Sequence, residues 1–219
     1  PQEIGPRLAT LLSDANADVR QWAAAFVERY PDPAYEAQLI ALTADEEPRV
    51  RKAAIQTLGM VGSDAAVEPA LHRLTDPVPY VRAHAARALG RLGVTDGAER
   101  VALLLGDADW WVRLAARESL EEMGTDVWPV LVRCLEHRDR FVRNGAAEVI
   151  QNLGVLDSLV MLEAASDSPA HSKITMLRRI TAAGGVRFTE SLVERAGPVV
   201  GPRVRQLLST IGMDSVGVA

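Results

Sequence analysis

The stretch from Asp76 to Gly90, DPVPYVRAHAARALG, contains the pattern from which the fold of this chain can be predicted. Its Val-Arg dipeptide recurs at steps of 31, 31, 31 and 30 residues, as Val19-Arg20, Val50-Arg51, Val81-Arg82, Val112-Arg113 and Val142-Arg143. The aspartate six residues before the arginine recurs in four of these places, as Asp14, Asp45, Asp76 and Asp107. Glycines follow the same period, at Gly62, Gly93, Gly124, Gly154 and Gly184. Three residue types that share one period indicate an internal structural repeat.

Each repeat is predicted to form two helices. If the valine of the dipeptide is position 0, apolar residues also stand at +4, +8 and +11, which makes a single stripe on a helix of 3.6 residues per turn. In the third repeat this stripe is Val81, Ala85, Leu89 and Leu92. Asn16, Asp109 and Asp139 are predicted N-caps, and Pro48 and Pro79 are predicted first residues of their helices. The periodic glycines are expected just past the helix ends, in the left-handed conformation.

A shorter helix with its own apolar residues precedes each of these, as in Val67, Ala70, Leu71 and Leu74. The expected fold is therefore all-α, a right-handed α-α superhelix (α-solenoid) of about six to seven helical hairpins. We expect one solenoid over residues 1–212, with clear repeats at 1–31, 32–62, 63–93, 94–124 and 125–154. Two degenerate repeats follow at 155–184 and 185–212, since Asp167, Lys173, Ile180 and Gly184 keep the register and terminal repeats are often atypical. Residues 213–219 are expected to form a flexible tail.

The stretch DPVPYVRAHAARALG closely resembles the signature of HEAT repeats, in which Asp-x5-Arg with Val before the Arg is followed by Ala-Ala and Leu-Gly. The short period is similar to that of the HEAT-like repeats of phycobilisome lyases and of many bacterial scaffold proteins. In such families the aspartate and arginine form a hydrogen-bonded ladder along the stack, which braces the turn between helices. The resemblance therefore implies a structural ladder of Asp14, Arg20, Asp45, Arg51, Asp76, Arg82, Asp107, Arg113 and Arg143. It does not imply one function, because lyases, DNA glycosylases and adaptors share the architecture.

Composition narrows the function classes. Apolar residues make up 48% and charged residues 24% of the 219, as in a soluble globular protein, and no uninterrupted apolar run reaches the length of a membrane span. A net charge of −5 speaks against a nucleic acid as the main partner. With Cys134 as the single cysteine, the chain can form no internal disulfide, which fits a reducing compartment. The strong preference for arginine over lysine is typical of GC-rich bacterial genomes, so we expect a bacterial cytoplasmic protein.

The residue before the repeated valine is aromatic in three consecutive repeats, as Tyr80, Trp111 and Phe141. This position lies opposite the apolar stripe, together with positions +3, +6 and +10. In HEAT-like folds the second helices line the concave surface, and exposed aromatic rings among charges are typical of binding sites. The expected partner-binding residues are Tyr80, His84, Arg87, Trp110, Trp111, Glu118, Phe141 and Glu148. The alternative is that these rings pack sideways against neighbouring second helices and only fill the groove.

Two further tryptophans receive separate predictions. Trp22 occupies position +3 of the first repeat and is expected on the same face, whereas Trp128 is expected in the core. No metal-binding residues are predicted, because His72, His84, His137 and His171 have no paired spacing that would build a metal site. No catalytic or cofactor-binding residues are predicted either, since the sequence contains no Gly-rich phosphate loop and no nucleophile elbow.

The favoured function is a protein-protein interaction or scaffolding module that binds a peptide or protein along the concave groove. The alternative is a HEAT-like enzyme or nucleic-acid-binding protein, similar to bilin lyases or DNA alkylation-repair glycosylases. Because the first residue is Pro1, we also expect the chain to be a piece of a longer protein, in which it would regulate or tether an attached domain.

Overall fold

The structure is a computed structural model that describes residues 4–166, 171–183 and 190–213, and these ranges contain helices and turns but no strand. The α-helices in these ranges are α1 (Ile4–Leu11), α2 (Ala17–Arg29), α3 (Glu36–Leu42), α4 (Pro48–Val61), α5 (Val67–Arg73), α6 (Pro79–Arg91), α7 (Ala98–Leu103), α8 (Trp110–Glu122), α9 (Trp128–Cys134), α10 (Arg140–Asn152), α11 (Val155–Ala165), α12 (His171–Ala183), α13 (Glu190–Arg195) and α14 (Gly197–Thr210). Single 3-10 turns precede α3, α5, α7 and α9 and follow α7. The expected Asp167 and Gly184 lie outside the described residues.

The chain forms two compact units, Pro1–Val127 and Trp128–Ala219, and each is described by itself. In the first unit the second helices of the repeats, α2, α4, α6 and α8, pack in succession, each against the next. In the second unit α10 packs against α9, α11 and α12, and α14 packs against α11 and α13.

The helix starts predicted from the sequence are confirmed. The side chains of Asn16, Asp109 and Asp139 each accept a hydrogen bond from the backbone N–H two residues later, and so they cap α2, α8 and α10. Pro48 and Pro79 are the first residues of α4 and α6, where the missing proline N–H costs no hydrogen bond.

The prediction of left-handed glycines at the helix ends is correct for Gly93, Gly124 and Gly154, with φ between +66° and +77°. It is wrong for Gly62, whose φ is −73°. A Cβ at Gly62 would lie 2.4 Å from the carbonyl oxygen of Leu58 and 2.8 Å from Cβ of Ala66. This position therefore needs glycine because the chain passes close to itself, and not because of its dihedral angle.

The apolar stripe forms the core of the first unit. Val81, Ala85 and Leu89 of α6 have no exposed surface, and the equivalent residues Val112, Ala116 and Leu120 of α8 have none either. At about 25 cal/mol per Å² of apolar surface removed from water, burial of this stripe is the main favourable term in the packing of each repeat.

Position +7 of the second helices faces the preceding second helix. The Thr57 hydroxyl of α4 donates to the carbonyl oxygen of Ala24 in α2 at 3.0 Å, and the Ser119 hydroxyl of α8 donates to that of Ala86 in α6. Ala88 of α6 lies so close to Gly59 of α4 that a Cβ at the glycine would be 2.8 Å from its Cα. Small residues at this position let neighbouring helices approach closely.

Three of the repeated arginines of the first unit connect one repeat to the next. Arg51 donates from Nε and Nη2 to both carboxylate oxygens of Asp76 in the following repeat, at 2.8 and 2.9 Å. Its Nη1 donates to the carbonyl oxygen of Asp45, six residues earlier. Arg20 with Asp45 and Arg82 with Asp107 repeat the same bidentate geometry. The aspartate six residues before an arginine thus contributes its carbonyl to that arginine, and its carboxylate to the arginine of the preceding repeat.

These ion pairs change the acidity of the aspartates. Burial raises the pKa of the Asp76 carboxyl, but hydrogen bonds from Arg51 and from the backbone N–H of Val78 outweigh it and hold the pKa below its ordinary value. The pKa values of Asp45 and Asp107 are lowered against the same opposing burial, by Arg20 and Arg82. The guanidinium pKa of Arg51 is raised, first by its hydrogen bond to Asp76.

At either end of the arginine–aspartate ladder, the repeated residues make hydrogen bonds that differ from those of the three bidentate pairs. Asp14 accepts from the backbone N–H of Asn16, and no arginine is ion-paired with it in the described part of the chain. Arg113 donates to the carbonyl oxygens of Asp107 and Ala108. In the second unit, Arg143 donates to the carbonyl of His137, which occupies the place of the ladder aspartate and accepts through Nδ1 from a backbone N–H.

One prediction about the core needs correction. Trp128, the first residue of α9, is half-buried, whereas Leu131 of the same helix is fully buried.

Among the described residues, no single helix is long and apolar enough to cross a membrane; the bent pair α10 and α11 passes that test by length and composition only.

Candidate functional site: the groove between helices α6 and α8

A groove of about 470 Å³ lies between α6 and α8 of the first unit and is named here the α6–α8 groove. Its lining consists of Pro79, Tyr80, Ala83, His84, Arg87, Asp109 and Trp111. Four of these, Tyr80, His84, Arg87 and Trp111, are partner-binding residues expected from the sequence.

The two aromatic rings of the groove stand at equivalent places, each at the second position of its helix. Val81 and Val112, the next residues, are fully buried, so the helical turn directs Tyr80 and Trp111 away from the core. The side chains remain 45% and 54% exposed. Pro79 at the start of α6 and the N-cap Asp109 of α8 hold these two helix ends in place.

Trp110 stacks on Trp111, with ring centroids 3.8 Å apart and ring planes 26° from parallel. Trp110 is 53% exposed and does not line the groove. Stacking restricts the indole of Trp111, so a ligand that contacts this ring has less side-chain entropy to remove.

Arg87 of α6 forms an ion pair with Glu118 of α8, in which Nε of Arg87 donates to a carboxylate oxygen of Glu118 at 2.8 Å. The Glu118 side chain is 48% exposed, so this ion pair adds little to stability. It does fix the direction in which the guanidinium points, with its remaining N–H groups available as donors.

His84 is half-buried on α6, three residues before Arg87. Burial, followed by the positive charges of Lys52, Arg87 and Arg91, lowers the pKa of His84 to about 4. The imidazole is therefore neutral at pH 7 and can accept a hydrogen bond at one nitrogen. The cations near it make this part of the groove favourable for an anionic group.

The sequence placed position +3 on the exposed face, and this is wrong for two of the second helices of the first unit. Ala53 is 6% exposed and Ala115 has no exposed surface. In these two helices the +3 residue is small and buried, whereas His84 at +3 of α6 lines the groove as expected. Ala83, at +2, also lines the groove, although no pattern in the sequence indicated it.

The remaining expected residues lie elsewhere. Phe141 and Glu148 are in α10 of the second unit; Phe141 is 43% exposed, with the Arg140 guanidinium carbon 4.9 Å from its ring centroid, and Glu148 is half-buried. Trp22 does not line the α6–α8 groove but a different one, against α1. No group of three or more His, Cys, Asp or Glu residues within the described ranges could hold a metal ion.

In the first unit, helical hairpins stacked so that each second helix packs on the next define an α-solenoid of repeats. The family model for HEAT repeats matches residues 5–90, 67–151 and 97–178. The chain belongs to the HEAT-repeat family.

Solved structures share this fold at low sequence identity. A chain in the complex of CpcE and CpcF of phycocyanin lyase from Nostoc sp. PCC7120 is 21% identical, with a TM-score of 0.54 and 93% of both chains covered. A designed armadillo repeat protein in complex with the peptide (KR)4 is 14% identical, with a TM-score of 0.50, over 94% of this chain and 99% of that one. An engineered protein is 18% identical, with a TM-score of 0.51, over 94% and 97%. These likenesses show the fold alone. No curated protein matches the chain.

Proposed function

We propose that this chain is a protein-interaction module that binds a peptide segment of a partner protein in the α6–α8 groove. The observation that carries the proposal is the pair of half-exposed rings, Tyr80 and Trp111, on opposite walls of one groove. Tyrosine, tryptophan and arginine are the residues most enriched in binding hot spots, and all three line this groove.

The exposure of the rings favours binding over the packing alternative. A ring that only filled space between second helices would be buried, as the small residues at positions +3 and +7 are. Tyr80 and Trp111 instead keep about half of their surface exposed, and a bound side chain would remove that surface from water.

The polar groups of the groove indicate what such a peptide carries. The side chain of Arg87 is directed by Glu118, and Lys52 and Arg91 lie near His84. A peptide with one bulky apolar residue between the rings and a carboxylate near Arg87 would satisfy both features.

The enzyme and nucleic-acid alternatives have less support. Glu118, the acidic residue nearest the tryptophans on α8, is 48% exposed and ion-paired with Arg87, whereas carboxyl groups that act as general acids are usually buried. The net charge of −5 opposes binding to a polyanion.

A displayed library of random peptides, selected on the intact chain, tests the proposal. Selected peptides are then synthesised with a fluorophore, and their Kd is measured by fluorescence anisotropy. Trp111→Ala is expected to weaken binding about 30-fold, the effect of losing a hot-spot residue worth 2 kcal/mol or more.

The matched control is Trp22→Ala, which removes an exposed tryptophan from another groove. Peptides of the α6–α8 groove should bind this variant within about twofold of the unchanged chain. Circular dichroism should show equal helicity for both variants. If every selected peptide binds the Trp111→Ala variant as tightly as the unchanged chain, the assignment of the site is refuted.

A further inference from the structure

A second groove, of about 600 Å³, lies between α1 and α2 and is named here the α1–α2 groove. Its apolar wall includes Leu11, Trp22, Phe26 and Tyr30, which are 41%, 76%, 39% and 61% exposed. The rings of Phe26 and Tyr30 are 4.8 Å apart. This is a larger concentration of exposed aromatic surface than the α6–α8 groove has, and neither the repeat pattern nor the family assigns it a role.

Comparison with the other second helices shows what is unusual about α2. Position +7 faces the preceding second helix and holds the fully or almost fully buried small residues Thr57, Ala88 and Ser119 in α4, α6 and α8. In α2 the same position holds Phe26. Position +3, which holds buried alanine in α4 and α8, holds Trp22 in α2.

These two rings change what can pack against α2. Another repeat could not approach α2 as closely as α4 approaches it, because Trp22 and Phe26 occupy the space that small residues leave open elsewhere. The rings instead form the wall of a groove. An occupant must therefore insert its own side chains between α1 and α2, as an amphipathic helix does when it lies in an apolar groove.

The charges of the groove indicate the composition of that helix. Arg7 and Arg29 lie in its lining, which contains no acidic residue, and neither arginine has an ion-pair partner in the described part of the chain. Two copies related by a twofold axis would bring these unpaired arginines together, which disfavours a second copy as the occupant. Acidic residues beside the apolar face would pair with them.

We propose that the α1–α2 groove docks an amphipathic helix of a partner protein, with bulky apolar residues at i, i+3, i+4 and i+7 and acidic residues flanking them. The site is separate from the α6–α8 groove, so the chain has two docking surfaces in its first unit.

The test uses a displayed library of peptides with this apolar spacing fixed and the flanking positions randomised, selected on the intact chain. The selected peptides are expected to carry Asp or Glu at the randomised flanking positions. Their Kd should rise about 30-fold for Trp22→Ala and for Phe26→Ala, should rise for Arg29→Glu, and should rise with salt. Trp110→Ala and Trp111→Ala, which alter exposed tryptophans elsewhere, should leave the Kd unchanged.

Arg29→Glu keeps the inference testable if Phe26→Ala disturbs the fold, because Arg29 is exposed and has no ion-pair partner among the described residues. The proposal would be overturned if the selected peptides carried basic residues at the flanking positions. It would also be overturned if they bound the Trp22→Ala and Arg29→Glu variants as tightly as they bind the unchanged chain. A dimer in sedimentation velocity that Phe26→Ala converts to monomer would overturn it too, since the occupant would then be a second copy. If the selected peptides lost binding to the Trp111→Ala variant and to none of the others, they would occupy the α6–α8 groove, and the proposal for the α1–α2 groove would fail.

Discussion

Replacing Asp76 with asparagine would remove one carboxylate from the arginine–aspartate ladder while keeping the shape of the side chain. Asp76 has no exposed side-chain surface and Arg51 only 9%, which makes this the most buried of the three bidentate pairs. The asparagine oxygen can still accept from the backbone N–H of Val78, as the carboxylate does at 3.0 Å. What is lost is the negative charge that compensates the buried guanidinium of Arg51.

The cost follows from the burial of the pair. Removing one partner of a buried ion pair costs about 3 to 5 kcal/mol, because the remaining charge stays out of water without compensation. Since asparagine keeps one acceptor, we expect the lower end of that range, a loss of about 3 kcal/mol in the free energy of unfolding.

Asp14→Asn is the matched control. Asp14 has the same place in the first repeat and the same type of hydrogen bond, from the N–H of Asn16 at 2.8 Å, but no arginine is ion-paired with it within the described residues. Its replacement should cost about 0.5 kcal/mol, the usual limit for a substitution at the surface.

Urea unfolding followed by circular dichroism measures both values, and hydrogen exchange shows whether protection is lost in α4 and α6. The pKa of Asp76 is lowered in the folded chain, so its contribution is present above the ordinary carboxyl pKa of about 3.9 and is lost as the pH falls. The difference between Asp76→Asn and the unchanged chain should therefore shrink below about pH 4. If Asp76→Asn costs no more than Asp14→Asn at pH 7, the ladder does not stabilise the stack and the reasoning is refuted.

Two other predictions concern α4 and α6. Because the pKa of His84 is lowered to about 4 in the folded chain, the unfolded chain binds a proton at His84 at a higher pH than the folded chain does, and the free energy of unfolding should fall as the pH drops from about 6.5 to 4. His84→Gln should flatten this part of the curve of unfolding free energy against pH. An unchanged curve would count against the buried neutral imidazole. Gly59→Ala should lower the melting temperature, because the new Cβ would lie 2.8 Å from Cα of Ala88 in α6. This clash is expected to outweigh the higher helix propensity of alanine, which favours it over glycine by about 0.8 to 1 kcal/mol. A raised melting temperature would show that α4 and α6 can separate at little cost.

The sequence was sufficient to predict the repeat and its helices, because those features depend on residues close together in the chain. The caps at Asn16, Asp109 and Asp139 and the apolar stripe from Val81 to Leu89 were all read from local spacing. The left-handed conformation predicted for Gly62 was wrong. Glycine is required at this position by the close approach of Leu58 and Ala66, and the period of the glycines does not distinguish close approach from a left-handed backbone angle.

The candidate site was predictable in part. Tyr80 and Trp111 were found because a buried valine follows each of them, so the helical turn places both rings on the opposite side. Ala115 was misplaced, because a helix in a stack has neighbours on two sides as well as a core beneath it, and its sequence shows only the core stripe clearly.

The repeated sequence pattern by itself determined that this chain is an α-solenoid, since a repeated pattern of apolar residues specifies which face of each helix is buried. The resemblance to HEAT repeats came from the residues of the stretch DPVPYVRAHAARALG. The tertiary structure decided which surfaces of that solenoid remain open. It showed that Arg20, Arg51 and Arg82 each pair with the aspartate of the next repeat, and that Trp22 and Phe26 form a groove separate from that of Tyr80 and Trp111. The ion pairs depend on the distance between residues 25 positions apart in the chain, which is set by how one repeat packs on another.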